Sequence, residues 1–239
     1  MRLDSYLVEN GFFESRNRAT VAIKSGLVGV DGKVATKPSL RVGNLANVHV
    51  QESKFYVSRA AKKLEEYLKE YALPIEDAKC LDIGSSTGGF TQILLENGVK
   101  SVDCVDVGKQ QLHQSLREDR RVRVYEETDI RTFGKSGYSL IVSDVSFISL
   151  LKILDAIDLA ATKGAVIALL FKPQFEVGRN VKRDSKGVVL DKGAIEFAKV
   201  QFLEATKSLE WKLLDSRESK ITGKEGNTEY FYTFAKGQC

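Results

Sequence analysis

Lys79-Cys80-Leu81-Asp82-Ile83-Gly84-Ser85-Ser86-Thr87-Gly88-Gly89-Phe90-Thr91 joins a short apolar strand, a glycine-rich turn and the start of an amphipathic helix, the pattern of the first βα unit of a nucleotide-binding sheet. Glycines suit such a turn because it is tight and because a Cβ would hold a ligand away from the backbone. A second apolar strand, Ser101 to Val105, ends in Asp106 about twenty residues on, where a ribose-binding carboxylate belongs. The loop reads D-x-G-x-x-x-G-G rather than the G-x-G-x-x-G of a dinucleotide site, with Ser86 in the place of the second glycine. The Asp82 carboxylate just ahead of it suits an ammonium better than a phosphate. Asp82, Gly84, Ser85, Ser86, Thr87, Gly88, Gly89 and Asp106 therefore read as a site for S-adenosylmethionine, which has a ribose and a cationic methionine tail but no phosphate. NAD is the alternative cofactor.

Three more residues follow strands. Asp129 lies just beyond Val122 to Tyr125, Asp144 beyond Tyr138 to Val142, and Lys172 beyond Ala165 to Leu170. Ligands of an open α/β sheet bind outside the carboxyl ends of its strands, so all three join Gly84 and Asp106 on one edge. Asp129 and Asp144 are thus added to the cofactor candidates.

The elements that must position these residues alternate between apolar strands and amphipathic helices. Helices are expected from the Ser58 cap to Tyr71, over Phe90 to Asn97, a polar one over Lys109 to Arg117, then Leu150 to Ala161 and Asp191 to Leu209. A Gly-, Lys- and Arg-rich loop, Gly178 to Gly187, precedes the last of them. Strand Trp211 to Ser216, a turn over Thr222 to Asn227 and strand Thr228 to Ala235 complete the chain as a hairpin. The expected fold is α/β: a seven-stranded, Rossmann-like, mostly parallel sheet whose final strand a hairpin turns antiparallel.

The first quarter of the chain reads differently. Leu3, Tyr6 and Leu7 recur at helical spacing, Ser15 caps a second helix from Arg16 to Lys24, and short strands follow at Val28 to Val30, Val34 and Val48 to Val50 around an Asp31-Gly32 turn. This is a small α+β domain over residues 1–53, with a stiff connector at 54–57 and the large domain at 58–239. Residues 1–60 hold nine Lys/Arg and five Asp/Glu, whereas residues 61–239 hold twenty-seven of each, so the excess positive charge is confined to the small domain. A basic module beside a neutral one suggests delivery to a polyanion. Arg2, Arg16, Arg18 and Lys24 fall on or beside the helix pair and are its candidate phosphate contacts.

Composition excludes several classes. The longest uninterrupted apolar run, Ala165 to Phe171, falls well short of the roughly twenty residues of a membrane helix, and no secretory signal is read, so a cytoplasmic protein is expected. Cys80, Cys104 and Cys239 form neither a C-x-x-C pair nor an even disulfide set, and no metal site is expected. His49 and His113 are the only histidines, which argues against histidine acid–base chemistry.

R-L-D-x-x-L, then S-R-x-x-A, then I-x-x-G-x-V-x-V-D-G-K in the first fifty residues resembles the S-four RNA-binding module, which binds structured RNA through the basic face of its helix pair. Ser-Arg-Ala-Ala-Lys-Lys-Leu at 58–64, Ser-Asp-Val-Ser-Phe-Ile at 143–148, Phe-Lys-Pro-Gln-Phe-Glu at 171–176 and Asn-Thr-Glu-Tyr-Phe at 227–231 resemble the haemolysin A (TlyA) family, whose catalytic domain is similar to the FtsJ-type RNA ribose methyltransferases. That resemblance implies a Lys-Asp-Lys-Glu tetrad on Lys63, Asp144, Lys172 and Glu229; Lys63 is preferred to Lys62 because it directly precedes Leu64. It also implies 2′-O-methylation of a cytidine ribose in large-subunit ribosomal RNA, with rRNA or a ribosomal subunit as partner and no role for DNA or membrane. Ser85 departs from the Ala common at that position. A free lysine has a pKa near 10.4, so Lys172 is expected to orient and polarise the hydroxyl at least; acting as base at neutral pH requires a drop of about three units. The competing expectations are a non-catalytic RNA-binding or assembly factor and a membrane-active haemolysin.

Overall fold

The computed structural model describes residues 1–43, 46–51 and 54–237; Cys239 and the expected small-domain boundary at Ser53 lie outside them. The chain divides into two units, Met1–Phe55 and Tyr56–Cys239. Tyr56 and Val57, expected in a connector, pack against the core of the second.

In the first unit, α1 (Leu3–Glu9) and α2 (Arg16–Lys24) precede a three-stranded antiparallel sheet of β1 (Val28–Val30), β2 (Lys33–Val34) and β3 (Val48–Val50) in the order β2-β1-β3. Leu3 and Leu7 of α1 meet Ala19, Ala22 and Ile23 of α2 and Val28 of β1 in one apolar cluster. The Ser15 hydroxyl accepts the Arg18 amide at 3.4 Å, capping α2. Asp31 and Gly32 both take positive φ, 50° and 77°, as a two-residue hairpin turn demands.

The second unit is built on one seven-stranded sheet. Its elements are α3 (Arg59–Glu70), β4 (Lys79–Ile83), α4 (Gly89–Glu96), β5 (Ser101–Val105), α5 (Gln114–Arg117), β6 (Val122–Tyr125), β7 (Tyr138–Ser143), α6 (Leu154–Ala160), β8 (Ala161–Phe171), α7 (Pro173–Glu176), α8 (Lys192–Ser208), β9 (Lys212–Glu218) and β10 (Tyr230–Ala235). Strand order is β6-β5-β4-β7-β8-β10-β9. The first five pair in parallel, and β10 runs antiparallel to both its neighbours, as the hairpin requires. One face buries Cys80, Val102, Leu140 and Phe231 against α3 and α4; the other buries Leu81, Ile141, Leu169 and Phe234 against α6 and α8. Successive strand residues point to opposite faces, so runs with both faces covered read as continuously apolar.

Three expectations change. The polar helix over Lys109 to Arg117 shrinks to four residues because the Glu126 carboxylate accepts the amides of Gln110, Gln111 and Leu112, holding that segment as a loop, and Gln110 takes a φ of 50°. Strand β8 begins at Ala161, since the polar stretch 161–164 starts pairing with β7 before the apolar run begins. Ser58 stands at the N-cap of α3, but its side chain makes no capping bond.

Candidate active site

Chain direction decides which residues share an edge. Because β10 runs antiparallel to β8, its first residue, Tyr230, faces Phe171, the last of β8. Glu229, just before β10, therefore lies at the same sheet edge as Lys172, just after β8. The parallel strands bring Gly84, Asp106 and Asp144 to that edge by their carboxyl ends.

Two ion pairs occupy it, each with a buried lysine. Lys63 Nζ donates to Glu229 Oε2 at 2.6 Å, with both side chains nearly inaccessible. Lys172 Nζ lies 2.6 Å from Asp144 Oδ1, and donates to the Asp144 carbonyl oxygen at 3.1 Å and to the Ser146 hydroxyl at 2.9 Å. The Gln174 amide spans toward the other pair, donating to Glu229 Oε1 at 3.4 Å. Lys62, by contrast, is exposed, with Nζ 5.2 Å from the centre of the Tyr56 ring.

Helix α3 carries Lys63 and is pinned one turn later. Tyr67 lies on the same helical face. Its hydroxyl donates to Asp215 Oδ2 at 3.0 Å on β9 and meets Thr233 Oγ1 at 2.6 Å on β10, and its ring stacks on Phe231 with centroids 4.3 Å apart. Arg217, bonded to Asp215 and Glu70, and Lys220, 2.5 Å from Glu70, extend this fastening. Glu229 is further hemmed in by Gly223, where a Cβ would fall 2.7 Å from Oε1.

The glycine turn is tight, but protein packing accounts for its glycines. Gly84 has a φ of 75°, and a Cβ there would come within 3.0 Å of Val145; at Gly88 it would strike Leu116 and Leu112, and at Gly89 Ser58 and Ala61 of α3. Ser86 adopts a φ of 47°, the left-handed conformation that glycine takes without strain, and its amide is aimed at Asp106 Oδ2, 2.8 Å away. Asp106 Oδ1 accepts the Gly108 amide at 2.7 Å. A carboxylate has about four acceptor positions, so lone pairs remain for a ribose diol.

The expected cofactor residues separate by access. Gly84, Ser86, Thr87, Asp106 and Asp144 reach solvent; Asp82, Ser85, Gly88 and Gly89 are buried. Asp82 lies beneath the turn, where Oδ2 accepts the Thr91 hydroxyl at 2.6 Å and the buried Oδ1 has no hydrogen-bond partner. Burial, with smaller contributions from the Asp144 and Asp106 charges, pushes its carboxyl up to about 7. Asp129 is engaged by Arg131 through three contacts of 2.6–3.1 Å and caps the short turn Ile130–Thr132.

Beside Lys172, the loop after β7 is fastened to α7. Glu176 accepts the Ser149 hydroxyl at 2.5 Å and the Leu150 amide at 2.8 Å. Phe147, in the same loop, is 92% exposed with a φ of 66°, its ring 5.2 Å from that of Phe175. A bulky residue held in this conformation is an outlier, and such outliers cluster at functional sites. Ser146, Gln174, Tyr67 and Gly223 were not singled out from the sequence as site residues; for Gln174 the signal was available, two places after Lys172 inside a quoted motif.

In the first unit the helix-pair cations are partly spoken for. Arg2 and Arg16 both bond the buried Asp4, whose carboxyl they hold well below the usual range, and Arg18 pairs with Glu14 at 2.6 Å. Arg2, Arg16 and Lys24 are nonetheless exposed to solvent.

Residues 56–236 match the model of the FtsJ-like methyltransferase family, and residues 1–44 that of the S4 domain. The chain belongs to the FtsJ-like methyltransferase family. Within it, the chain is similar to the 23S rRNA (cytidine-2′-O)-methyltransferase TlyA of Campylobacter jejuni, 45% identical over 99% of this chain and 100% of the relative. The 16S/23S rRNA (cytidine-2′-O)-methyltransferase TlyA of Mycobacterium tuberculosis is 38% identical over 96% of this chain and 88% of its own length. Among solved structures, "Putative hemolysin from Streptococcus thermophilus" superposes with a TM-score of 0.70 at 35% identity, covering 99% of this chain and 88% of that one. The resemblance to the TlyA family is thereby borne out, as is the α/β fold with its RNA-binding N-terminal module type. No helix among the described residues is long and apolar enough to cross a membrane.

Proposed function

We propose that this FtsJ-like methyltransferase uses S-adenosylmethionine to methylate the ribose 2′-hydroxyl of a cytidine in large-subunit ribosomal RNA; the names of its near full-length relatives give them 23S, or 16S and 23S, rRNA (cytidine-2′-O)-methyltransferase activity. The observation that carries the reading is Lys172: a buried lysine at the carboxyl edge of a methyltransferase sheet, bonded at 2.9 Å to an alkyl hydroxyl, that of Ser146. That hydroxyl stands in for the one a ribose would offer.

Gly84, Ser86, Thr87 and Asp106 would hold the cofactor's amino-acid and ribose parts, with Asp82 supporting the turn from below. When bound, S-adenosylmethionine supplies a methyl group already activated on its sulfonium. The protein's share is alignment. Lys172 would bind the ribose hydroxyl oxygen, orienting and polarising it towards the methyl group that the cofactor would supply, and the hydroxyl proton would be released to water. Asp144 fixes the lysine, and Lys63 with Glu229 fixes the floor against which the nucleotide lies. Arg2, Arg16, Arg18 and Lys24 of the first unit contribute RNA affinity. A 2′-hydroxyl target excludes DNA.

Replacing Lys172 tests the reading. Lys172→Ala is expected to abolish methyl transfer to large-subunit rRNA while calorimetric affinity for S-adenosylmethionine stays near that of the unaltered protein. Retained turnover removes Lys172 from the mechanism, and failure of the unaltered protein to bind S-adenosylmethionine favours a non-catalytic RNA-binding role.

A further inference from the structure

The basic loop after α7 has a defined shape that the site just described does not use. Residues 182–190 form a hairpin: Arg183 bridges Val189, the Asp184 amide donates to the Val188 carbonyl at 2.9 Å, and the Leu190 amide donates to the Lys182 carbonyl at 3.1 Å. Asp184 Oδ1 accepts the amides of Lys186 and Val188, closing the tip.

Its base is anchored on both sides of the lysine–glutamate edge. The Arg183 guanidinium donates to four carbonyl oxygens, those of Gln174, Gly178, Arg179 and Val181, at 2.8–3.3 Å. Asn227, which is buried, accepts the Val189 amide at 3.0 Å and donates to the Gly187 carbonyl at 3.3 Å. Gln174 lies two residues from Lys172, and Asn227 two residues from Glu229. Arg183 is thus consumed internally. Arg179, Lys182 and Lys186 are exposed and have no carboxylate within 4 Å among the described residues.

We propose that this hairpin is a phosphate clamp, in which Arg179, Lys182 and Lys186 hold the RNA backbone beside the nucleotide presented to Lys172, and Arg183 is a positioning residue that keeps them there. The inference rests on the reading of the protein as an RNA methyltransferase. Phosphate contacts carry no base information but fix register, the requirement when one ribose oxygen must meet one methyl group. Because the hairpin is tied at both ends, binding has to order only the side chains of these cations and not the backbone that carries them, which favours a preorganised contact over a merely solvated surface.

The test compares the full-length protein with Arg179→Ala/Lys182→Ala/Lys186→Ala and with a control, Lys163→Ala/Lys207→Ala/Lys212→Ala, which removes three exposed lysines from the opposite, amino edge of the sheet. The probe is purified large-subunit rRNA lacking 2′-O-methylation. The first variant is expected to bind it roughly tenfold more weakly, with the slope of log Kd against log salt reduced by about 2. Its calorimetric affinity for S-adenosylmethionine stays unchanged, and the control behaves as the unaltered protein. Arg183→Ala should raise the KM for RNA while kcat at saturating RNA is retained, and Arg183→Lys should not rescue it, since an ammonium cannot span the four carbonyls. An unchanged Kd and salt slope in the triple variant, or equal losses in the control, overturns the clamp. Unaltered protein that binds the RNA but transfers no methyl overturns the reaction instead, and the binding data still decide the clamp.

Discussion

Asp82 illustrates how a single buried group ties stability to pH. In the folded chain its carboxyl keeps its proton up to about pH 7, whereas in the unfolded chain it releases it near the usual 3.9. Between those values the folded state binds a proton that the unfolded state lacks, so the stabilisation present below pH 4 is lost as pH rises through 7. Asp82→Asn removes that dependence. Urea melts at pH 4.5 and 7.5 should show the variant gaining on the unaltered protein at the higher pH by about 3 kcal/mol; parallel pH profiles would place the titration elsewhere. Ser86 makes a related point: the sequence marks it as a serine in a glycine's place, and the chain tolerates its left-handed backbone where its amide meets Asp106.

At the scale of elements, helix α3 matters because it delivers Lys63 to Glu229, 166 residues away in sequence and just ahead of β10. Tyr67 fixes that delivery. Tyr67→Phe keeps the ring on Phe231 but takes the donor from Asp215 and the partner from Thr233, which costs about 1–3 kcal/mol. The expected outcome is a melting temperature several degrees lower and a reduced kcat with little change in cofactor affinity; an unchanged kcat would show that α3 holds Lys63 without this fastening. The elements also show what the sequence carries and what it hides. The glycine turn, the strand-ending carboxylates and the antiparallel last strand follow from local apolar runs and turn residues. The Lys63–Glu229 pair does not, because nothing local links two residues so distant; only the likeness of their flanking motifs to a known family brought them together. The polar helix over Lys109 to Arg117 is shorter than its sequence predicts for the converse reason. Its composition favours a helix, but Glu126, directly after strand β6, captures three of its amides. The glycines of the turn, expected from its tightness and from the approach of a ligand, have a further cause that is not local: leucines and helix α3 forbid a Cβ at Gly88 and Gly89.

For the molecule as a whole, charge is unevenly distributed. The excess positive charge lies in residues 1–60, while the rest of the chain is neutral by formal count. Association with RNA through exposed cations must release counterions, so the KM for rRNA is expected to rise steeply between 50 and 200 mM salt. The S-adenosylmethionine Kd, which on the proposed assignment rests on a turn and short-range hydrogen bonds, should change little over the same range. Kinetics and calorimetry in matched buffers decide the matter, and a cofactor affinity that falls in parallel with the RNA term would contradict the separation of the two tasks.

Strand β10 has one more consequence, in the order of assembly. It lies between β8 and β9 although the ribosome makes it after both. Until β10 emerges, β9 has no strand to join, the carboxyl edge lacks its glutamate, and α3 has neither Phe231 nor Thr233 to rest on. A nascent chain can therefore form the parallel half of the sheet, with its Lys172–Asp144 pair, early, yet it can join Lys63 to Glu229 only once β10 has been made.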